Sequence, residues 1–116
     1  MGEAQEILNE LRGPVRGLRS SQPDAWSGFA ALHGAAMADG ALPRRVKELI
    51  ALAIAVTRGC DGCIASHAKA AARNGASRQE VAEALSVALV MNGGPATVHG
   101  PRAFAAFEEF AGSEAL

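Results

Sequence analysis

One stretch decides the fold: residues Glu48 to His67, which read ELIALAIAVTRGCDGCIASH and hold both cysteines of the chain. Its first half is apolar on nearly every side, as expected of a central buried helix. Gly59 and Asp61 then fit the start of a new helix. Cys60 should therefore lie at the mouth of that helix and Cys63 in its first turn.

The two cysteines form a Cys-x-x-Cys pair, and His67 follows Cys63 by four residues. On a helix this spacing places the thiol and the imidazole on one face, one turn apart. A helix start or a neighbouring histidine can bring a cysteine pKa from about 8.5 down to about 3.5–7.5. The helix start favours Cys60 as the more acidic thiol and His67 favours Cys63, so both assignments stay open. Either thiol could resolve a disulfide or sulfenic acid formed on the other.

Glu48 precedes Cys60 by twelve residues, in a segment that is otherwise nearly all apolar. If its helix packs against the helix of the cysteines, the carboxylate would be desolvated and could accept or donate a proton near neutral pH. Alternatively, Glu48 is a solvated residue in the first turn of a helix that begins at Pro43. The spacing alone favours the solvated alternative.

Composition predicts a single all-α domain over residues 1–116. Hydrophobic residues make up 49% of the chain, but aromatic residues only 4%, and tyrosine is absent, so small side chains should dominate the helix contacts. A net charge of −1 without a basic stripe gives no sign of a nucleic-acid partner. The chain opens without a signal peptide and has no apolar run long enough to span a membrane, which predicts a cytoplasmic protein. In that compartment a Cys-x-x-Cys pair is more often catalytic or metal-binding than a permanent bridge.

The hydrophobic periodicity predicts about six helices. They cover 3–12, 23–38, 43–58, 61–74 and 77–91, with a last helix that ends near 110. Gly13-Pro14 should break or kink the first helix, although Val15 and Leu18 fit an extension of it, and Gly100-Pro101 should kink or split the last. Gly40 should cap the second helix and Gly75 should end the fourth in a left-handed conformation, whereas Ser77 and Glu80, three residues apart, should form a capping box at the start of the fifth. The third and fifth helices are too apolar to be covered within one small protomer, which predicts a homo-oligomer.

Residues 42–110 resemble the carboxymuconolactone decarboxylase superfamily, and in particular its small alkylhydroperoxidase D-like (AhpD-like) members. The resemblance is carried by KELIALA from Lys47, GCDGCIA from Gly59 with His67, AEAL from Ala82, and Gly93-Gly94-Pro95. It implies an AhpD-like helical bundle that assembles as a trimer, or as a hexamer built as a trimer of dimers.

The resemblance also implies the chemistry. Cys63 would attack a peroxide and pass through a sulfenic acid, Cys60 would donate a proton and resolve it, and Glu48 with His67 would form the proton relay. The substrate would be a peroxide or a small disulfide, and a lipoyl-bearing or other dithiol partner would reduce the Cys60–Cys63 disulfide. With the resemblance, a functional Glu48 is favoured. No cofactor is implied.

The chain departs from the family pattern at two positions. The best-known peroxidases carry a histidine directly before the second cysteine, where this chain has Gly62, and position 66, often tyrosine in related proteins, is Ser66. Dithiol redox chemistry is therefore better supported than efficient peroxide reduction. The decarboxylases of the superfamily generally lack the cysteine pair, which argues against lactone decarboxylation.

Two other interpretations remain. Cys60, Cys63 and His67 could bind zinc, with Glu48 or water as the fourth ligand, although structural zinc sites usually draw on a second, distant ligand pair. The chain could also be a helical oligomeric scaffold with incidental cysteines. His33 is expected to be a packed or surface residue, and His99 an accessory proton carrier or, preferably, a structural residue.

Overall fold

The computed structural model describes residues 2–115, and the side chains of residues 2–112. The predicted all-α class is confirmed, with six helices: α1 Glu3–Ser21, α2 Pro23–Met37, α3 Arg44–Arg58, α4 Asp61–Arg73, α5 Arg78–Asn92 and α6 Ala96–Ala115. No helix among these residues has both the length and the hydrophobicity to cross a membrane.

Helices α3, α4, α5 and α6 pack around one core that is rich in alanine. Its buried members include Leu52, Val56, Ile64, Ala68, Val81 and Phe107. Small side chains let helix backbones approach closely, so the few large residues fill the remaining space. Because α3 and α4 are both anchored in this core, the residues on their facing sides are held in a defined register.

The α3–α4 junction is a tight turn. Gly59 ends α3 in a left-handed conformation, with φ of 65°, and its N–H bonds back to Val56. A residue with a Cβ rarely adopts this φ, so glycine is the natural choice here. Gly59 thus ends one helix, and Cys60 directly after it is the N-cap of the next.

The predicted cap at the start of α5 is confirmed. Ser77 and Glu80 form a capping box, in which each side chain accepts from the other residue's backbone N–H. The bond from the Ser77 N–H, assisted by nearby Arg45, holds the pKa of the Glu80 carboxyl below its ordinary value. The left-handed Gly75 after α4 is also as predicted.

The proposed break in the first helix is wrong. Helix α1 runs unbroken through Gly13-Pro14 to Ser21, and α6 likewise runs unsplit through Gly100-Pro101 and beyond the expected end near 110. Pro14 and Pro101 are both exposed, so the missing backbone hydrogen bond is not left inside the core. Gly40 is not a cap either, because α2 ends at Met37 and Ala38 after it is extended.

Helix α2 lies at the edge of the molecule and has no buried residue. Trp26 and Met37 are half-buried, whereas the residues that share their side of the helix are exposed, namely Phe29, Ala30 and His33. Phe29 and Leu32 are 63% and 65% exposed. The protomer alone therefore leaves much of α2 uncovered.

Candidate functional site

The two cysteines lie at the N-terminus of α4 and are bonded to each other. Cys60 and Cys63 form a disulfide, and the Cys63 N–H donates to Cys60 Sγ at 3.2 Å. The Cys60 carbonyl accepts the next helical bond, from Ile64 N–H at 2.8 Å. Cys60 is half-buried and Cys63 is exposed. As predicted, Cys60 stands at the helix mouth and Cys63 in the first turn.

Glu48 is buried, with only 1% of its surface exposed, so the solvated alternative is wrong. Its Oε1 lies 2.8 Å from His67 Nδ1, and its Oε2 accepts a hydrogen bond from Arg44 Nε at 3.3 Å. A buried carboxylate without partners would carry a large desolvation cost. Each oxygen of Glu48 has instead a nitrogen partner on a different residue.

Packing of α3 on α4 creates this contact. Glu48 lies near the start of α3 and meets His67 near the middle of α4, across nineteen residues of sequence. Arg44 lies one turn before Glu48 on α3, and its own backbone N–H donates to Asp39 Oδ1 at 2.6 Å. Arg44 is the first residue of α3, and the hydrogen bond to Asp39 holds its backbone in place.

Sequence reasoning missed Arg44. Its spacing of four residues from Glu48 on one helix is the signal that could have found it, because residues at i and i+4 are neighbours on a helix surface. This spacing is informative only when Glu48 is known to be buried, because a solvated i,i+4 ion pair contributes little to stability.

The contact with Glu48 defines the hydrogen-bonding role of His67. When Nδ1 carries the proton and donates it to the carboxylate, Nε2 is left as an acceptor. His67 lies on the same face of α4 as Cys63, one turn further on. The arrangement can therefore take a proton near Cys63 and stabilise the resulting imidazolium beside Glu48.

Position 62, between the cysteines, lies beneath α1. A Cβ added to Gly62 would lie 3.0 Å from Leu11 Cδ1. A side chain at this position would touch the end of the exposed Leu11 side chain, which would have to move by a few tenths of an ångström.

The other two histidines lie apart from the Glu48–His67 pair. His99 Nε2 lies 3.1 Å from where a Cβ on Gly59 would be, and His99 lines a cleft of about 260 Å³ with Gly59 and Asp61, the residues on either side of Cys60. His33 is exposed on α2, with its ring 6.5 Å from that of Phe29. This matches the packed or surface role expected of His33.

Among the described residues, no three His, Cys, Asp or Glu side chains are arranged to hold a metal ion. In the disulfide state the two sulfurs are bonded to each other and are not thiolate ligands. The zinc hypothesis therefore concerns the reduced protein, where it stays a prediction.

The family model for the carboxymuconolactone decarboxylase family matches residues 23–112. The chain belongs to this family. The matched range contains all four predicted site residues, Glu48, Cys60, Cys63 and His67. A carboxymuconolactone decarboxylase family protein from Legionella pneumophila, solved as a crystal structure, superposes with a TM-score of 0.91 at 38% identity, over 94% of this chain and 97% of that one.

Two relatives show how far the family resemblance extends along the chain. An uncharacterized protein of Cupriavidus necator is 42% identical over 101 residues, which cover 87% of this chain and 89% of the relative. An uncharacterized protein of the cox locus of Paracoccus denitrificans is 42% identical over 85 residues, covering 73% and 77%. Neither relative's name states an activity.

Proposed function

We propose that this carboxymuconolactone decarboxylase family protein is a thiol-dependent oxidoreductase that reduces a peroxide, or more generally a disulfide, through Cys60 and Cys63. The observation that carries the proposal is the buried Glu48–His67 hydrogen bond, one helical turn from a cysteine pair already close enough to form a disulfide. A purely structural cysteine pair has no need of a buried acid and imidazole beside it. The resemblance to AhpD-like proteins supports the same assignment.

In the proposed cycle both cysteines start as thiols. His67 takes the proton of Cys63, Glu48 stabilises the imidazolium, and the thiolate attacks one oxygen of the hydroperoxide. The O–O bond breaks, the alcohol leaves with a proton from Cys60, and Cys63 becomes a sulfenic acid. Cys60 then attacks the Cys63 sulfur, water leaves, and the disulfide forms. Altogether one hydroperoxide and two thiols give one alcohol, one water and one disulfide.

Cys60 is suited to be the resolving residue. It lies at the helix N-terminus, and its Sγ accepts a hydrogen bond from the Cys63 N–H. Both features favour the thiolate form of a cysteine. A dithiol partner, such as a lipoyl-bearing protein, would then return both cysteines to the reduced state. A cytoplasmic location remains a prediction.

The test of the relay compares the rate of thiol oxidation by tert-butyl hydroperoxide in wild type and Glu48→Gln. The amide fills the same space but cannot hold the imidazolium by charge, so we expect the rate constant to fall about 10-fold or more. Glu83→Gln, an exposed glutamate on α5, is the matched control and should stay within about 2-fold, since exposed charges are screened. An unchanged rate in Glu48→Gln would remove the relay from the mechanism.

A further inference from the structure

Arg44 and His67 contact different oxygens of the Glu48 carboxylate. The Arg44 Nε lies 3.3 Å from Glu48 Oε2, and the His67 Nδ1 lies 2.8 Å from Oε1. Among the described residues, these are the charged or titratable side chains that bond to Glu48. Because Glu48 is 1% exposed, water screens the interactions between the three groups only weakly. The positive charge of Arg44 therefore acts on His67 through Glu48.

The backbone of Arg44 holds its side chain beside Glu48. Arg44 is the first residue of α3, and its N–H donates to Asp39 Oδ1 at 2.6 Å. Its side chain then lies one helical turn from Glu48 on the same face of α3. Because 42% of the Arg44 side chain is exposed, water reduces the effect of its charge in part. The effect that remains falls on the oxygen opposite the His67 contact.

The formal charges of Arg44, Glu48 and His67 sum to zero when the imidazole is neutral. Transfer of the Cys63 proton to His67 creates a thiolate and an imidazolium, so the sum over the four side chains stays at zero. Without Arg44, the ionised carboxylate and the neutral imidazole would form a partly buried pair with a net negative charge. Such a pair binds a proton from solvent more readily. If His67 already holds this proton, it cannot accept another from Cys63.

We propose that Arg44 is a positioning residue of the proton relay: it lowers the affinity of the Glu48–His67 pair for a proton from solvent and so leaves His67 able to accept the proton of Cys63. This inference rests on the proposed redox function and adds a residue to its relay. Arg44 itself exchanges no proton and makes no bond to the substrate. It acts only through Glu48.

The other charged groups near the pair bond to different atoms. They come from α3, α4 and the turn before α3, and they are Asp39 on the Arg44 N–H, Lys47 on the Ala38 carbonyl, Arg45 on Glu80, and Lys69 on Gln5. Arg73 lines a cleft together with Arg44 and Lys69, and Asp61 is exposed at the start of α4. The groups that α1 and α6 present to Lys69 are neutral, namely Gln5 and the Phe110 ring. A substitution of Arg44 leaves all these groups in place.

The direct test follows the titration of His67 by NMR of the imidazole resonances. The oxidised protein is used, so that no cysteine titrates, and His33→Gln and His99→Gln assign the other two histidines. In Arg44→Gln we expect the midpoint of the His67 titration to rise by about one pH unit, because a positive charge beside Glu48 is lost while the amide can still donate to it. Arg44→Lys keeps the charge and should stay within about 0.3 unit of wild type.

Arg45→Gln is the matched control. It removes the same charge from the next residue of α3, where the arginine pairs with Glu80 at 3.2 Å instead of Glu48. It changes the charge at the N-terminus of α3 equally, so it isolates the contact with Glu48, and the His67 midpoint should move by less than about 0.3 unit. An unchanged or lower midpoint in Arg44→Gln, an equal rise in Arg45→Gln, or a full rise in Arg44→Lys would overturn the proposal.

The pH dependence of thiol oxidation links the titration to the reaction. In the reduced protein, the acid limb of the pH–rate profile with tert-butyl hydroperoxide should move to higher pH in Arg44→Gln by about the same interval as the His67 midpoint. A limb that stays in place while the midpoint moves would remove Arg44 from the relay. A protein that is inert to peroxide at every pH would refute the peroxidase function but leave the titration of the oxidised protein unaffected.

Discussion

At the scale of single residues, loss of the contact between Glu48 and His67 should have the largest cost in free energy of unfolding. Glu48 is 1% exposed and the side chain of His67 is 23% exposed. Removing the imidazole leaves one carboxylate oxygen in the protein interior without that partner. Leaving a buried polar group unsatisfied costs about 1–3 kcal/mol, and more when the group is charged.

We therefore expect His67→Ala to lower the free energy of unfolding by about 1–3 kcal/mol. Adding Glu48→Gln in the same chain should cost less than the two single changes together, with a coupling of about 0.5–3 kcal/mol. Urea denaturation of the oxidised wild type, the two single variants and the double variant measures the four free energies of unfolding in this double-mutant cycle. Additivity within about 0.3 kcal/mol would mean that the contact does not contribute to stability in solution.

The residue scale also shows what sequence can and cannot predict about the site. Cys60, Cys63 and His67 lie on one helix, so their relative placement followed from local spacing. Glu48 lies on another helix across a turn, and its burial depends on how α3 and α4 pack. Spacing alone therefore favoured a solvated glutamate, and it gave no reason to single out Arg44.

At the scale of secondary-structure elements, local signals predicted helix starts well and helix continuity poorly. The capping box at Ser77 needs only residues within one turn, and it was predicted from them. The position of α1 on α6 depends on a distant residue, since Glu109 on α6 accepts hydrogen bonds from the N–H groups of Ala4 and Gln5 at 3.1 and 3.0 Å. This carboxylate caps the start of α1 and fixes it to α6, a contact across more than a hundred residues that sequence pattern cannot indicate.

At the scale of the whole molecule, several large apolar side chains remain exposed. They lie on α2, α3 and α5 and include Phe29, Leu32, Ile50, Ile54, Val87, Val90 and Met91. Monomeric proteins rarely leave extended apolar patches open to water. This supports the predicted homo-oligomer, for which the resemblance to AhpD-like proteins implies a trimer or a hexamer.

Light scattering during size exclusion at micromolar concentration should give a mass three or six times the 11.9 kDa of one chain. Phe29→Asp places a charge on the exposed face of α2 and should lower the mass if that face is an interface. Ser27→Asp adds the same charge at an exposed polar position of the same helix and serves as the control. A wild-type protein that elutes at 11.9 kDa would refute the oligomer.

The central claim is that Cys60 and Cys63 act together as a redox pair. It is tested most directly by counting free thiols and measuring intact mass on reduced, metal-free protein before and after one equivalent of an alkyl hydroperoxide. The account predicts loss of both thiols with a decrease of about two daltons, since forming one disulfide removes two hydrogens, and no such change in Cys63→Ser. Both thiols still free and the mass unchanged after minutes would contradict the reduction of peroxides by this pair.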